Sequence, residues 1–501
     1  MNPSRFPSLP RGAWCLPLLL LGLPLYAAAP PPLPRVVVPY FGIRVIDSAT
    51  GRGVPLVELR TVNDIVLHTD SGGLVAFHEP GLMGREVYFA VSGPGYEVAK
   101  DGFGFRGARL VTTPGRSATI KVSRTNLAER LYRVTGQGIH RDAELLGLAP
   151  PRPLAAGVLG QDSVQAVPYR GRIFWLWGDT NLPNYPLGNF QTAAATSPMP
   201  GKDFRPSEGV PLTYFVDPKR PEISRRMVPL KAPGAVWLFG LLALPDDKGR
   251  PALVSHFTRQ KSLDEVVEHG LVRFDDEAGV FTRLATLDPK DRWRHPRGNA
   301  FRHGDHFYFA SPLAHTRVKA TWADLLDPRR YEAFAFDPTS GKYAWQRDVG
   351  PTTQADEQKL LRAGRMKPDA ARYSFRNAED RPVLIHGASI AFNAYRKRWI
   401  LVGNQQDPKA TPSFLGEVWY AEADSPTGPW PRAIKIATHP RYSFYNPRHH
   451  PFLDEEGGRV IYFEGTYTRT FSGNPTPTPR YEYNQLMYRL DLSDGRLKSA
   501  R

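Results

Sequence analysis

Three acidic residues stand in short glycine-containing motifs along this chain: Asp162 in Gly160-Gln161-Asp162-Ser163, Asp179 in Gly178-Asp179-Thr180, and Glu464 in Phe463-Glu464-Gly465-Thr466-Tyr467. Two or three carboxyl groups at one mouth supply what cleavage of a glycosidic bond needs, a protonated acid for the leaving oxygen and an ionised base or nucleophile. Aromatic residues near them, Trp175, Trp177 and Tyr467, have flat faces that can stack on sugar rings. Asn299, Asn393, Asn446, His295, His449 and His450 add groups that can bind hydroxyls. A plainer reading stands beside each: aspartates cap turns at strand ends, asparagines satisfy backbone, and a histidine pair sits in a polar loop. No metal is expected at the histidines.

Residues so far apart meet only if the fold gathers them, and an internal repeat indicates how. Arg172-Ile173-Phe174-Trp175-Leu176-Trp177, Arg250-Pro251-Ala252-Leu253-Val254, Asp305-His306-Phe307-Tyr308-Phe309, Arg398-Trp399-Ile400-Leu401-Val402 and Arg459-Val460-Ile461-Tyr462-Phe463 share one form. Each is a turn, a polar residue and a β run that reads as buried. A second strand closing on an aspartate follows each, at Asp217, Asp275, Asp337, Asp424 and Asp491. Five such units over residues 157–497 predict a five-bladed β-propeller, whose inner strands converge on a central channel. Counted from Arg172 and Arg459, Asp179 and Glu464 both fall at odd offsets, so matched registers would point them to one side of their strands.

Ahead of the repeat, residues 36–123 alternate short β-rich runs with turns such as Thr69-Asp70-Ser71-Gly72-Gly73, the pattern of a β-sandwich. Asn126 as a cap, Glu129 three residues on and Gly136 as a stop predict a helix in the linker 124–156. Gly102-Phe103-Gly104-Phe105-Arg106-Gly107 spells a dinucleotide fingerprint, but a β-like run with Pro114 follows, so no phosphate site is expected there. The expected fold class is all-β, a sandwich followed by a propeller.

Residues 1–29 read as an export signal: Arg5 and Arg11, an apolar run from Leu16 to Leu25, then Ala27-Ala28-Ala29. The sole cysteine, Cys15, falls inside it, so a mature chain from Pro30 would carry no thiolate, disulfide or cysteine-held zinc. The 65 basic residues outnumber the 49 acidic ones, but they are scattered. A solvated basic surface is expected, with no nucleic-acid or integral-membrane partner. The expected protein is a secreted or periplasmic monomer meeting a polysaccharide or cell-envelope glycan, without a cofactor apart from a conceivable structural calcium.

The N-terminal turns resemble those of transthyretin-like domains that precede secreted bacterial enzymes. Asp162, followed by an aromatic strand ending in Gly178-Asp179-Thr180, resembles the secreted five-bladed glycoside hydrolases. The narrower similarity is to bacterial endo-D-arabinanase-like propellers, and the more distant one to the arabinanase, xylosidase and invertase clans. The resemblance implies Asp162 as base or nucleophile and Asp179 as a second catalytic or tuning carboxylate. It does not transfer a general acid, for which Glu417 is open and Glu464 is the better placed, so Asp162, Asp179 and Glu464 are the expected catalytic residues. Two functions therefore stand: a polysaccharide hydrolase, or a non-catalytic glycan- or envelope-binding propeller. In a third reading the sandwich is the adhesion module and the propeller its scaffold.

Overall fold

Runs rich in valine, isoleucine and aromatic residues, broken by glycine and aspartate turns, fold here into sheets that are antiparallel except where Phe41–Asp47 pairs parallel with Ser117–Arg124. The computed structural model describes residues 39–136, 140–150, 154–189, 192–202, 204–262, 265–294, 298–410 and 412–500. The expected export signal with Cys15 lies outside these residues.

The N-terminal sandwich consists of two four-stranded sheets. In order, the first holds Leu74–Phe77, Phe41–Asp47, Ser117–Arg124 and Tyr96–Glu97; the second holds Val66–His68, Glu58–Thr61, Glu86–Ser92 and Gly107–Val111. Alternating residues such as Ile43, Val45, Leu59 and Phe89 face inward as its core. Asp101 Oδ1 accepts the backbone N–H groups of Phe103 and Phe105, both at 2.9 Å, so the glycine-rich segment is a turn leading into a strand.

The propeller has five blades. Their inner strands are Gln165–Tyr169, Ala235–Pro245, Asn299–His303, Ile385–Asn393 and Ser443–His449. The five repeated runs supply the second strands, Arg172–Trp177, Pro251–Gln260, His306–Ala310, Arg398–Gln405 and Val460–Thr468. Blade 3 has an extra strand, so Asp337 closes its fourth strand, Glu332–Asp337. In blade 1 the third strand is Ala193–Pro198, and Asp217 belongs to a separate hairpin.

The helix expected from Asn126 to Gly136 is instead the strand Glu129–Arg133. It pairs antiparallel with Asn484–Asp491 and completes blade 5. Leu131 and Tyr132 enter the core between blades, while Glu129 pairs with Arg489 at 2.5 Å. A partner strand some 350 residues away overrides the local capping pattern. The only α-helix described within 124–156 is the short Arg141–Leu145. The closing strand also holds the sandwich: the buried guanidinium of Arg130 donates to the carbonyls of Pro55 and Pro94, and Tyr481 donates to Thr69 O at 2.7 Å. Among the described residues, no helix is long and apolar enough to cross a membrane.

Candidate active site

The first hairpin of blade 1 opens partway along. Gln165 pairs with Leu176 on one side of the opening and Gln161 with Thr180 on the other, so Asp162 and Asp179 face each other across it. Gly178 N–H still donates to Asp162 O at 2.8 Å, and Ser163 takes a left-handed conformation with φ 55°. Side chains directly across a hairpin project to one face, so this opening brings the two carboxyl groups together. Gly178 makes the approach possible: a Cβ there would lie 2.3 Å from Asp162 Oδ1.

The two carboxyl groups have unlike surroundings. Asp162 Oδ1 accepts the Asp179 backbone N–H at 3.0 Å, and its Oδ2 accepts the Tyr445 hydroxyl at 2.9 Å. The Tyr483 and Ser163 hydroxyls lie close enough to favour its charged form as well. Burial pushes the Asp162 pKa up, and these donors pull it back by favouring the ionised form. Among the described residues, Asp179, 7% exposed, accepts the Trp237 indole N–H at 2.9 Å and no other side-chain donor. Burial and the neighbouring Asp162 charge raise its pKa to about 7, against the smaller opposing effect of Trp237. More donors thus favour the charged form at Asp162 than at Asp179, although burial raises both pKa values.

Beside the pair, the starts of the inner strands surround a cavity of ≈ 350 Å³ at the channel, lined by Ser163, Gln165, Asn299, His386 and Asn446 among others. Asn446 Nδ2 donates to Ser163 Oγ at 2.8 Å, linking the cavity wall to the aspartate motif. Asn299 Nδ2 donates to Ala388 O at 3.0 Å while its side chain borders the cavity. Of the residues singled out in the sequence, Asn299 and Asn446 line this cavity, while Asp162 and Asp179 lie behind its wall, joined to it through Ser163.

The others lie elsewhere. Glu464 is fully buried on the second strand of blade 5, where its Oε1 meets His450 Nε2 at 2.8 Å and the His450 ring packs edge-on to Trp175. Burial raises the Glu464 pKa and lowers that of His450, favouring a neutral pair. The expected alignment of Asp179 with Glu464 fails because the blade 1 strand ends at Trp177, so parity cannot be counted on to Asp179. Glu417, also buried, pairs with Lys435 at 2.6 Å. His449 contacts Asp454 at 2.9 Å, and Asn393 bonds Gly458 O and Arg396 N within blade packing. Trp177 stacks on Trp175, and Tyr467 on Tyr442, inside the core, so neither ring is free to stack on a sugar. His295 lies outside the described residues.

Four residues near the pair carried no distinguishing signal. Trp237 reads as a core aromatic, yet it donates to Asp179. Tyr445, within Tyr445-Asn446-Pro447, donates to Asp162, and the Tyr483 hydroxyl lies near the same carboxyl group. Phe471, 58% exposed, stands edge-on to Tyr445 and offers a free aromatic face above the site. Among the described residues, no group of three or more histidine, aspartate or glutamate side chains is arranged to hold a metal ion.

No family model matches the chain, and no curated protein matches it. Among solved structures, the chain is similar to an exo-β-1,3-galactanase from Phanerochaete chrysosporium at 11% identity and a TM-score of 0.36, over 67% of this chain and 61% of that one. The alignment thus spans less than two thirds of that galactanase. An endo-1,5-α-L-arabinanase from Thermotoga petrophila aligns at 11% identity and a TM-score of 0.29, over 67% of this chain and 71% of its own. A β-xylosidase/α-arabinofuranosidase from a compost metagenome aligns at 11% identity and a TM-score of 0.33, over 68% and 94% of the two chains. At these scores the likenesses assign no activity, and the site is argued from its own residues.

Proposed function

We propose that this protein is a glycoside hydrolase acting on a polysaccharide outside the cytoplasm, with Asp179 as general acid and Asp162 as the ionised base or nucleophile. The observation that supports this reading is the facing pair itself: two carboxyl groups across one opened hairpin, Asp162 accepting from the Asp179 N–H and the Tyr445 hydroxyl, and Asp179 accepting from the Trp237 indole. Asp179 gives its proton to the glycosidic oxygen as the bond to the anomeric carbon breaks. Asp162 either attacks that carbon or takes a proton from the water that does, and the anomeric centre ends bonded to a hydroxyl. Asn299 and Asn446 hold sugar hydroxyls at the cavity, and the exposed ring of Phe471 provides a stacking face.

The test is incubation of the purified protein with plant, algal and bacterial-envelope polysaccharides, scoring newly formed reducing ends. Release from at least one neutral polymer is expected. Saturable binding without release, from folded protein, would replace this reading with a glycan-binding propeller.

A further inference from the structure

A second cavity, of ≈ 400 Å³, adjoins the first and shares Ser311 and His386 with it. It is built by the turn after the second strand of blade 3 with His315 beyond it, the helix Gln354–Arg362 between blades 3 and 4 with Tyr373 after it, the start of the blade 4 inner strand, and Gln406 after the second strand of blade 4. Its size falls within the range of about 300–1,000 Å³ usual for small-molecule sites.

The chemistry of its lining is selective. Gln354, Gln358, Gln406, Thr353 and the two histidines His315 and His386 offer hydrogen-bond donors and acceptors, and Tyr373 adds an aromatic ring. Among the described residues, no aspartate, glutamate, lysine or arginine lines it. Burial lowers the pKa of both imidazoles, so they too are neutral at pH 7. Such a wall matches hydroxyls and ring faces, and the nearby Arg372 guanidinium is buried behind it, donating to the carbonyls of Ala314 and Thr427.

We infer that this cavity is a distal subsite that binds a neutral glycosyl unit of the same chain whose bond lies at Asp162 and Asp179, so that recognition extends along the polymer. The inference rests on the proposed glycosidase reading. A continuous path supports it: Asn446 and Ser163 stand beside the carboxylates, Asn299 across the channel, and Ser311 and His386 at the threshold of the second cavity. A long ligand occupies both cavities, whereas a short one fills only the first, and the second contact adds affinity without new chemistry.

The experiment measures calorimetric binding of short and long members of linear neutral arabino-, galacto- and xylo-oligosaccharide series to Asp179→Asn protein, in which turnover is stopped. Long members of one series should bind at least about tenfold more tightly than short ones. Gln358→Ala with Gln406→Ala, both exposed positions, should bring that ratio close to one, and Ala355→Tyr, which fills the cavity from the helix, should do the same. Charged oligogalacturonates should gain nothing with length. Equal affinity for short and long neutral chains, or a length dependence that survives both sets of variants, overturns the subsite. Binding that behaves as expected while the parent protein cleaves nothing would instead overturn the glycosidase reading and leave the subsite standing.

Discussion

The backbone N–H of Asp179 donates to Asp162 Oδ1 at 3.0 Å, so the chain that carries one carboxyl group helps to fix the other. Asp162 therefore sits among donors that stabilise its charge, and that charge helps keep Asp179 protonated. Burial is the larger cause of the rise at Asp179, and the Asp162 charge adds to it.

With a raised Asp179 pKa of about 7, activity should decline along an alkaline limb near that pH as the acid loses its proton. The Trp237 hydrogen bond lowers this pKa, so Trp237→Phe should move the limb upward, by on the order of half a pH unit. A pH–rate profile of both proteins checks the shift; movement downward would contradict the assigned role of Trp237.

The same rise makes Asp179 a stability cost. Between its ordinary value of 3.8 and about 7, folded protein holds a proton that the unfolded chain has released, so stability falls as pH rises through that window. Asp179→Asn does not titrate, and relative to the parent it should gain up to about 4 kcal/mol above pH 7 and almost nothing at pH 3. Thermal melts across that range test this.

Gly178→Ala should be costly without straining the backbone, since Gly178 lies outside the left-handed region and only the contact with Asp162 Oδ1 stands in the way. Displacing Asp162 should cut turnover at least about a hundredfold, with a stability loss of about 1–3 kcal/mol. Paired activity and melting measurements separate the two effects.

Glu464→Gln should keep turnover within about threefold of the parent, because an amide can stand in for a buried neutral acid beside His450. A loss as large as that at Asp162 would place Glu464 in the chemistry.

Much of this architecture is legible in the amino-acid order because the repeated β runs are local signals: each second strand carries its own turn, polar residue and buried residues. Asp162 and Asp179 are legible for a related reason, since both lie on one hairpin. What escapes is long-range. Glu129–Arg133 becomes a strand only because Asn484–Asp491 is there to receive it, and no helix-capping rule can register that partner. Trp237 and Tyr483 reach the carboxylates from blade 2 and from the loop before the last strand, and nothing in their local context sets them apart from core aromatics. Glu464 fails for the opposite reason: its motif looks polar, but its strand runs through packed interior.

The most direct measurement compares reducing-end release by the parent protein and by Asp162→Asn on a polysaccharide the parent cleaves, with matched circular dichroism and melting curves. The account predicts a loss of about a thousandfold or more in the folded variant. Turnover retained by folded Asp162→Asn would contradict it.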